Sequence, residues 1–257
     1  MEYAHLSSTV RIRTVAEDAR KGVFEISGLF AGYGLTLGNA IRRVLLSSLP
    51  GAAITQFKVK GVMHEFSTIP GMLEDVIEFS LNLKQVRFRM HENEPKTLTL
   101  RAKGKGEVTA GQIEGDATVA VANPDFVIAH LTSDDAEIEV DLTVERGIGY
   151  SQADMRGKEK LPIGAIAVDA NFSPIVNVSY TVENMRVGDR TDYNQLTLEI
   201  ETDGTISPSA ALHKASKILK DHFDIIGGIE IQEFELPQLK KAKSSSAKQK
   251  KKTAEQS

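Results

Sequence analysis

Apolar and polar positions alternate with a period of two along 10–14, 23–26, 55–59, 97–101, 138–144, 176–182 and 195–201, which predicts strands at each. Turn-forming pairs such as Asp203-Gly204 and Asn123-Pro124 separate many of them. Helical spacing is confined to three segments. Over 36–49, Leu37, Ala40, Ile41, Val44 and Leu45 gather on one side. Over 72–83, Leu73, Val76, Ile77, Ser80 and Leu81 make one face, and Glu74, Asp75 and Glu78 take the other. The third segment is 208–223, with Ser207 placed to cap it, Pro208 in the first helical position and Gly227-Gly228 beyond its end. Strands outnumber helices and do not alternate with them, so the expected class is α+β and not a doubly wound sheet.

The first helix carries more than a core stripe. Asn39, Arg42, Arg43 and Leu46 gather on the side away from it, with Leu46 between the two arginines. An apolar anchor flanked by arginine is the composition of an interface. A snorkelling arginine pair around one exposed leucine fits the spacing equally well. Gly38 inside this helix costs ~1 kcal/mol and points to another backbone packed close against it. On the third helix Leu212, Ala215, Ile218, Leu219 and Phe223 form a stripe broad enough for its own sheet and a second body, a two-fold twin being the commonest. A single wider core accommodates the same pattern.

Cofactor and catalytic motifs are not matched. Gly32, Gly34 and Gly38 miss the dinucleotide spacing by one position, and no acid follows at the required distance. Gly104 and Gly106 flank one lysine without the rest of a phosphate loop, and the pair is read as a hairpin turn. The histidines His5, His64, His91, His130, His213 and His222 form no short ligand spacing, so no metal is expected. Ser47 and Ser48 have no nearby base.

Composition sets the frame around these elements. The chain has 257 residues, 41% hydrophobic and 26% charged, enough to fold around one large core or two modest ones. The absence of cysteine rules out disulfides and thiolate metal sites and fits a reducing compartment. No apolar run approaches the ~18 residues of a membrane span, and the N-terminus has no signal-peptide pattern, so a soluble intracellular protein is expected. Charge is uneven. Seven of the 31 basic residues and one of the 35 acidic residues fall in 237–257, leaving 24 basic against 34 acidic before them. The body is formally −10 and the tail +6. With no aliphatic or aromatic residue after Leu239 except alanine, the tail is expected to stay disordered, either drawn loosely to nucleic-acid phosphates or simply solvated.

Several long stretches, in order, resemble the alpha-subunit family of bacterial DNA-directed RNA polymerase, in its N-terminal assembly domain. They are YGLTLGNAIRRVLLSSLPG at 33–51, GVMHEFSTIPG at 61–71, EDVIEFSLNLK at 74–84, RGIGY at 146–150, PIGAIAVDANFSPIVNVSYTVE at 162–183 and RTDYNQLTLEIETDGTISP at 190–208. The resemblance implies a homodimeric scaffold, without catalytic residues or a cofactor of its own, on which the beta and beta-prime subunits assemble, with omega and sigma in the same cytoplasmic, nucleoid-associated enzyme. It implies a discontinuous dimerisation subdomain, 1–49 and 174–235, an inserted mostly-β subdomain, 50–173, and the basic tail, 236–257. Matching positions place Arg43 and Leu46, with Arg42 beside them, in the beta contact, and Lys84 and Val168 in the beta-prime contact. The first and third helices would form the dimer interface through Tyr33, Leu37, Ile41, Val44, Leu212, Leu219 and Phe223. Family members usually continue into a small helical DNA-binding domain, which the lysine-rich tail does not resemble, so promoter recognition is not carried over. The competing expectation is a free-standing dimeric binding module that uses its tail on nucleic acid.

Overall fold

A computed structural model describes residues 7–115, 117–156 and 162–230. The basic tail lies outside them, as do 1–6 and 231–235 of the expected dimerisation segments. In chain order the elements begin with β1 (Arg11–Glu17), β2 (Lys21–Leu29), α1 (Tyr33–Ser48), β3 (Pro50–Val59), α2 (Val76–Leu83) and β4 (Phe88–Met90). Next come β5 (Lys96–Lys103), β6 (Gly106–Thr109), β7 (Ile113–Glu114), β8 (Val119–Val121), β9 (Val127–Leu131) and β10 (Glu137–Ile148). The remainder is β11 (Tyr150–Ser151), α3 (Ala153–Arg156), β12 (Ile166–Ala167), β13 (Ala170–Asn171), β14 (Ile175–Val187), β15 (Arg190–Thr202) and α4 (Pro208–Gly227). The class is α+β, as the pattern predicts.

Two cores organise the chain. One lies between α1, α4 and an antiparallel four-stranded sheet of order β1-β2-β15-β14. The alternation of β2 turns Phe24 and Ile26 inward; Phe24 shares one buried cluster with Leu45, Leu198, Ile200 and Ala211. The other core belongs to the sheet running β7-β5-β10-β3-β4-β8, with β12 added beside β3. Its members run from Ala52 to Val168. Arg89 links the two bodies, donating from Nε and Nη2 to the carbonyls of Thr205 and Gly204, both at 3.0 Å.

The helix ends follow from local chemistry. Asn194 sits 7% exposed on β15, and its Oδ1 accepts from the N–H groups of Gly32 at 2.8 Å and Gly34 at 3.4 Å, closing the start of α1. At the other end Leu49 turns extended and Pro50, with no N–H to give, opens β3. Ser207 caps α4 by accepting from Ala210 N–H, with Pro208 first in the helix, and α4 runs four residues past Phe223, to Gly227.

Three expectations are corrected. The second helix starts at Val76, not at 72, because Asp75 caps it by accepting from Glu78 N–H at 2.7 Å. Its buried face is Val76, Phe79 and Leu83, while Leu73 (71%), Ile77 (40%) and Leu81 (52%) are exposed. Phe79 decides the face: it packs edge-on against Phe57 with centroids 5.7 Å apart. The Gly104–Gly106 turn makes no hairpin, since β5 pairs with β7 and β10 while β6 pairs with β9, so the chain changes sheets there. Gly38 faces a ring and not a backbone; a Cβ there would lie 2.7 Å from Tyr180 Cδ2.

Candidate protein–protein interface

The outer side of α1 is a continuous row. Leu35, Asn39, Arg43 and Leu46 follow each other at four, four and three residues, so they stack along one face. Leu35 is 62% exposed and Leu46 37%. Beside the row lies an open groove of about 700 Å³ between α1 and α4, lined by Leu35, Thr36, Asn39, Ala40, Arg43, Val44, Tyr180 and Leu219. Beyond it the last two turns of α4 leave the body: Phe223, Ile225 and Ile226 are 63%, 78% and 66% exposed. Phe223 and Ile226, three residues apart on one face of α4, leave apolar surface uncovered beside the groove, and Ile225 adds more on the other side of the helix.

The expected interface residues therefore divide. Tyr33 and Phe223 are exposed, Leu37, Val44 and Leu219 are half-buried, and all five remain available to a second body. Ile41 and Leu212 are buried in the chain's own core beneath α1 and α4, so they support the face without presenting to it. The two arginines also part. Arg42 Nε donates to the Val178 carbonyl at 3.1 Å, which ties it down to β14. Among the described residues no acceptor holds the Arg43 guanidinium, which borders the groove. Ser47, exposed at the end of the helix, turns its hydroxyl back on the helix: Oγ donates to the Arg43 carbonyl at 2.7 Å.

A second polar cluster lies on the inserted body. Lys84, at the C-cap of α2, points its ammonium at Asp169 Oδ2, 3.1 Å away. Tyr150 donates its phenol to the same oxygen at 2.8 Å, and the Ala153 N–H donates to Oδ1 at 2.9 Å. Those bonds, the Ala153 N–H first, then Tyr150 and Lys84, hold the Asp169 carboxyl down to about 2. Val168, expected at this surface, is 4% exposed and packs into the large core, its N–H bonded to the Thr55 carbonyl at 2.9 Å. The groups that reach solvent here are its neighbours Asp169 and Tyr150, which spacing alone did not single out. An acid set in the apolar run IAVDANF was the available signal, but its partners come from 84, 150 and 153, too distant for any local pattern.

Among the described residues no group of three His, Cys, Asp or Glu side chains is placed to hold a metal, and no helix is long and apolar enough to cross a membrane.

Residues 55–173 match a family described as the RNA polymerase Rpb3/RpoA insert domain. Over 217 residues, 84% of its length, the chain is 52% identical to the DNA-directed RNA polymerase subunit alpha of Symbiobacterium thermophilum, covering 69% of that protein. It is 50% identical to the protein of that name from Alkaliphilus oremlandii over 204 residues, 79% of this chain and 64% of the relative. The counterpart in Moorella thermoacetica is 49% identical over 212 residues, 82% and 67% of the two chains. The chain thus spans about two thirds of the length of these relatives. Identity at this level runs across both bodies of the fold, and the chain belongs to the bacterial RNA polymerase alpha-subunit family.

Proposed function

We propose that this chain is the non-catalytic scaffold of a DNA-directed RNA polymerase: it pairs with a second copy through α1 and α4, and the pair then gathers the two large subunits. The observation that carries the reading is the uncovered apolar end of α4, Phe223, Ile225 and Ile226, next to the groove that α1 and α4 enclose. Burying a side chain of that size is worth roughly 1.5–3 kcal/mol, so a few of them on each copy supply a stable association. A two-fold contact uses the same patch on both copies, which covers both surpluses at once.

Symmetry then explains how one chain serves two different partners. Each copy presents both the Arg43–Leu46 end of α1 and the Lys84 cluster, so a dimer carries each surface twice. One copy offers Arg43 and Leu46 to the beta subunit; the other offers the Lys84 surface to the beta-prime subunit. Arg43 suits the first role because, among the described residues, no acceptor holds its forked guanidinium and Leu46 beside it supplies an apolar anchor. Omega and sigma join the same assembly, which in a bacterium works in the cytoplasm on the nucleoid, and this chain reaches DNA through its partners or weakly through the basic tail.

The test is co-expression of the full chain with the two large subunits, followed by affinity purification. The expected product holds two copies of this chain with one of each large subunit. Recovery of the chain as a dimer without either one would favour the free-standing binding module.

A further inference from the structure

Four segments meet at one carboxylate on the inserted body: the end of α2 brings Lys84, β11 brings Tyr150, the start of α3 brings the Ala153 N–H, and Asp169 bridges β12 and β13. Both side-chain donors use the same oxygen, Oδ2, so the ammonium is drawn in over the phenol, 5.9 Å from the ring centroid. The Lys84 side chain is 25% exposed and Tyr150 57% exposed, so the assembled surface still faces solvent. An ammonium has three donors, and one is taken by Asp169. Val168, buried in the core with its N–H on Thr55, fixes the backbone from which the carboxylate projects.

We infer that Asp169 is a positioning residue for the contact made through Lys84: it holds the lysine ammonium and the Tyr150 ring as one preformed patch that recognises a partner segment offering a carbonyl or carboxylate beside an apolar side chain. The inference rests on the proposed beta-prime contact at Lys84. A free lysine loses its rotamer freedom when a partner binds it, whereas one already pinned has lost it in the folded chain. With its carboxyl held down to about 2, Asp169 is ionised at neutral pH, so the charge that holds the Lys84 ammonium is in place there. Buried Val168 then matters to the contact through Asp169, without touching the partner.

The test uses the full chain co-expressed with both large subunits and compares wild type with Lys84→Ala, Asp169→Asn, the double variant and Tyr150→Phe. Capture of each large subunit, dimer mass and melting temperature are read for every variant. Asp169→Asn is expected to cut beta-prime capture about 10-fold while beta capture and the dimer stay at wild-type levels. The double variant should fall no further than Lys84→Ala alone, because both substitutions remove one coupled unit. Tyr150→Phe, which keeps the ring and the carboxylate, should lose a few-fold and serves as the readout if Asp169→Asn fails to fold. Normal beta-prime capture by Asp169→Asn, or by Tyr150→Phe in that fallback, overturns the positioning role when Lys84→Ala is defective. Losses that multiply in the double variant overturn it too. Normal capture by Lys84→Ala removes the beta-prime contact itself, and the inference with it.

Discussion

The two bodies of this chain solve the burial problem in different ways. The inserted body has the deeper core, with Val76, Phe79, Leu83, Leu100, Val140 and Leu142 all at 0% exposure; its most exposed apolar side chains, Met63, Phe66, Leu73 and Ile163, are spread over loops, and ion pairs such as Lys84–Asp169 and Lys60–Glu139 lie across its surface. The α1–α4 body stops short. Its core is complete as far as Ala215, and beyond it α4 extends into solvent with Phe223, Ile225 and Ile226 uncovered. The uncovered end of α4 is what supports the proposed self-association, and the Lys84–Asp169–Tyr150 cluster on the inserted body is what supports a second, polar contact.

The strongest way to break the comparison is to make the unclosed end polar. Phe223→Asp is expected to leave the melting temperature of the monomer nearly unchanged, since a 63% exposed side chain contributes little to its own fold. The dimer should weaken by on the order of 3 kcal/mol or more, over a hundred-fold, because a charge would be stranded in the contact. Sedimentation reads this directly. A dimer that survives at micromolar concentration would place the contact elsewhere.

Next in size is Arg43→Ala. It opens no core cavity and should leave folding and dimer mass intact, while beta capture falls by ~2–5 kcal/mol of interaction. Arg43→Lys should recover only part, since an ammonium cannot reproduce a forked contact. Arg42→Ala is the control with a distinct signature: it removes the hydrogen bond to the Val178 carbonyl and should cost ~1 kcal/mol of stability with beta capture retained. Equal losses of capture from both arginines would argue against a one-sided helix.

Gly38→Ala sharpens the core side of the same helix. Alanine favours a helix over glycine by ~1 kcal/mol, but its Cβ would lie 2.7 Å from Tyr180 Cδ2 and 3.0 Å from Leu196 Cδ1. Leu196 is fully buried and cannot swing away. The clash should win, for a net loss of ~1–2 kcal/mol by thermal or denaturant melt. A stabilised variant would mean that β14 can give way beneath α1.

These residues also mark what the sequence could and could not disclose. Alternation located the long strands, because β2, β10 and β15 each bury one face, and a side-chain period of two is a local property. The cap on α4 was equally legible, since Ser207 acts on a donor three residues away. The cap on α1 was not: Asn194 reaches Gly32 across 162 positions, and only the pairing of β15 with β2 brings it there. The split between Arg42 and Arg43 had the same origin, a carbonyl on β14 that no helical period encodes. On α2 the pattern pointed to a face with Leu73, Ile77 and Leu81, and it is Phe57 on another strand that draws Phe79 inward instead. The strands of two or three residues, β4, β7, β8, β11, β12 and β13, were too short to show a period at all.

The smallest expected effect lies on the inserted body, at the pair Glu74–His130. Glu74 Oε1 is 2.6 Å from His130 Nδ1, and Oε2 accepts the His130 N–H at 2.9 Å, joining the approach to α2 to β9. The hydrogen bond to Glu74 raises the imidazole from its ordinary 6.5. Burial alone would raise the carboxyl, but the side-chain and backbone bonds from His130 outweigh it and hold Glu74 below its ordinary 4.5. The raised imidazole adds stability that is fully present below 6.5 and is lost as pH climbs through its value in the folded chain. The lowered carboxyl adds stability that is present above 4.5 and is lost as pH falls through its folded value. The pair therefore contributes most between 4.5 and 6.5. Glu74→Gln should lower the melting temperature most in that window, and the gap from wild type should narrow toward alkaline pH, where a neutral imidazole keeps only an uncharged donor for Glu74. Melts from about pH 4 to about pH 9 give the comparison. A gap that stays constant across the range would mean that the two groups hold each other by geometry alone, with no charge shared between them.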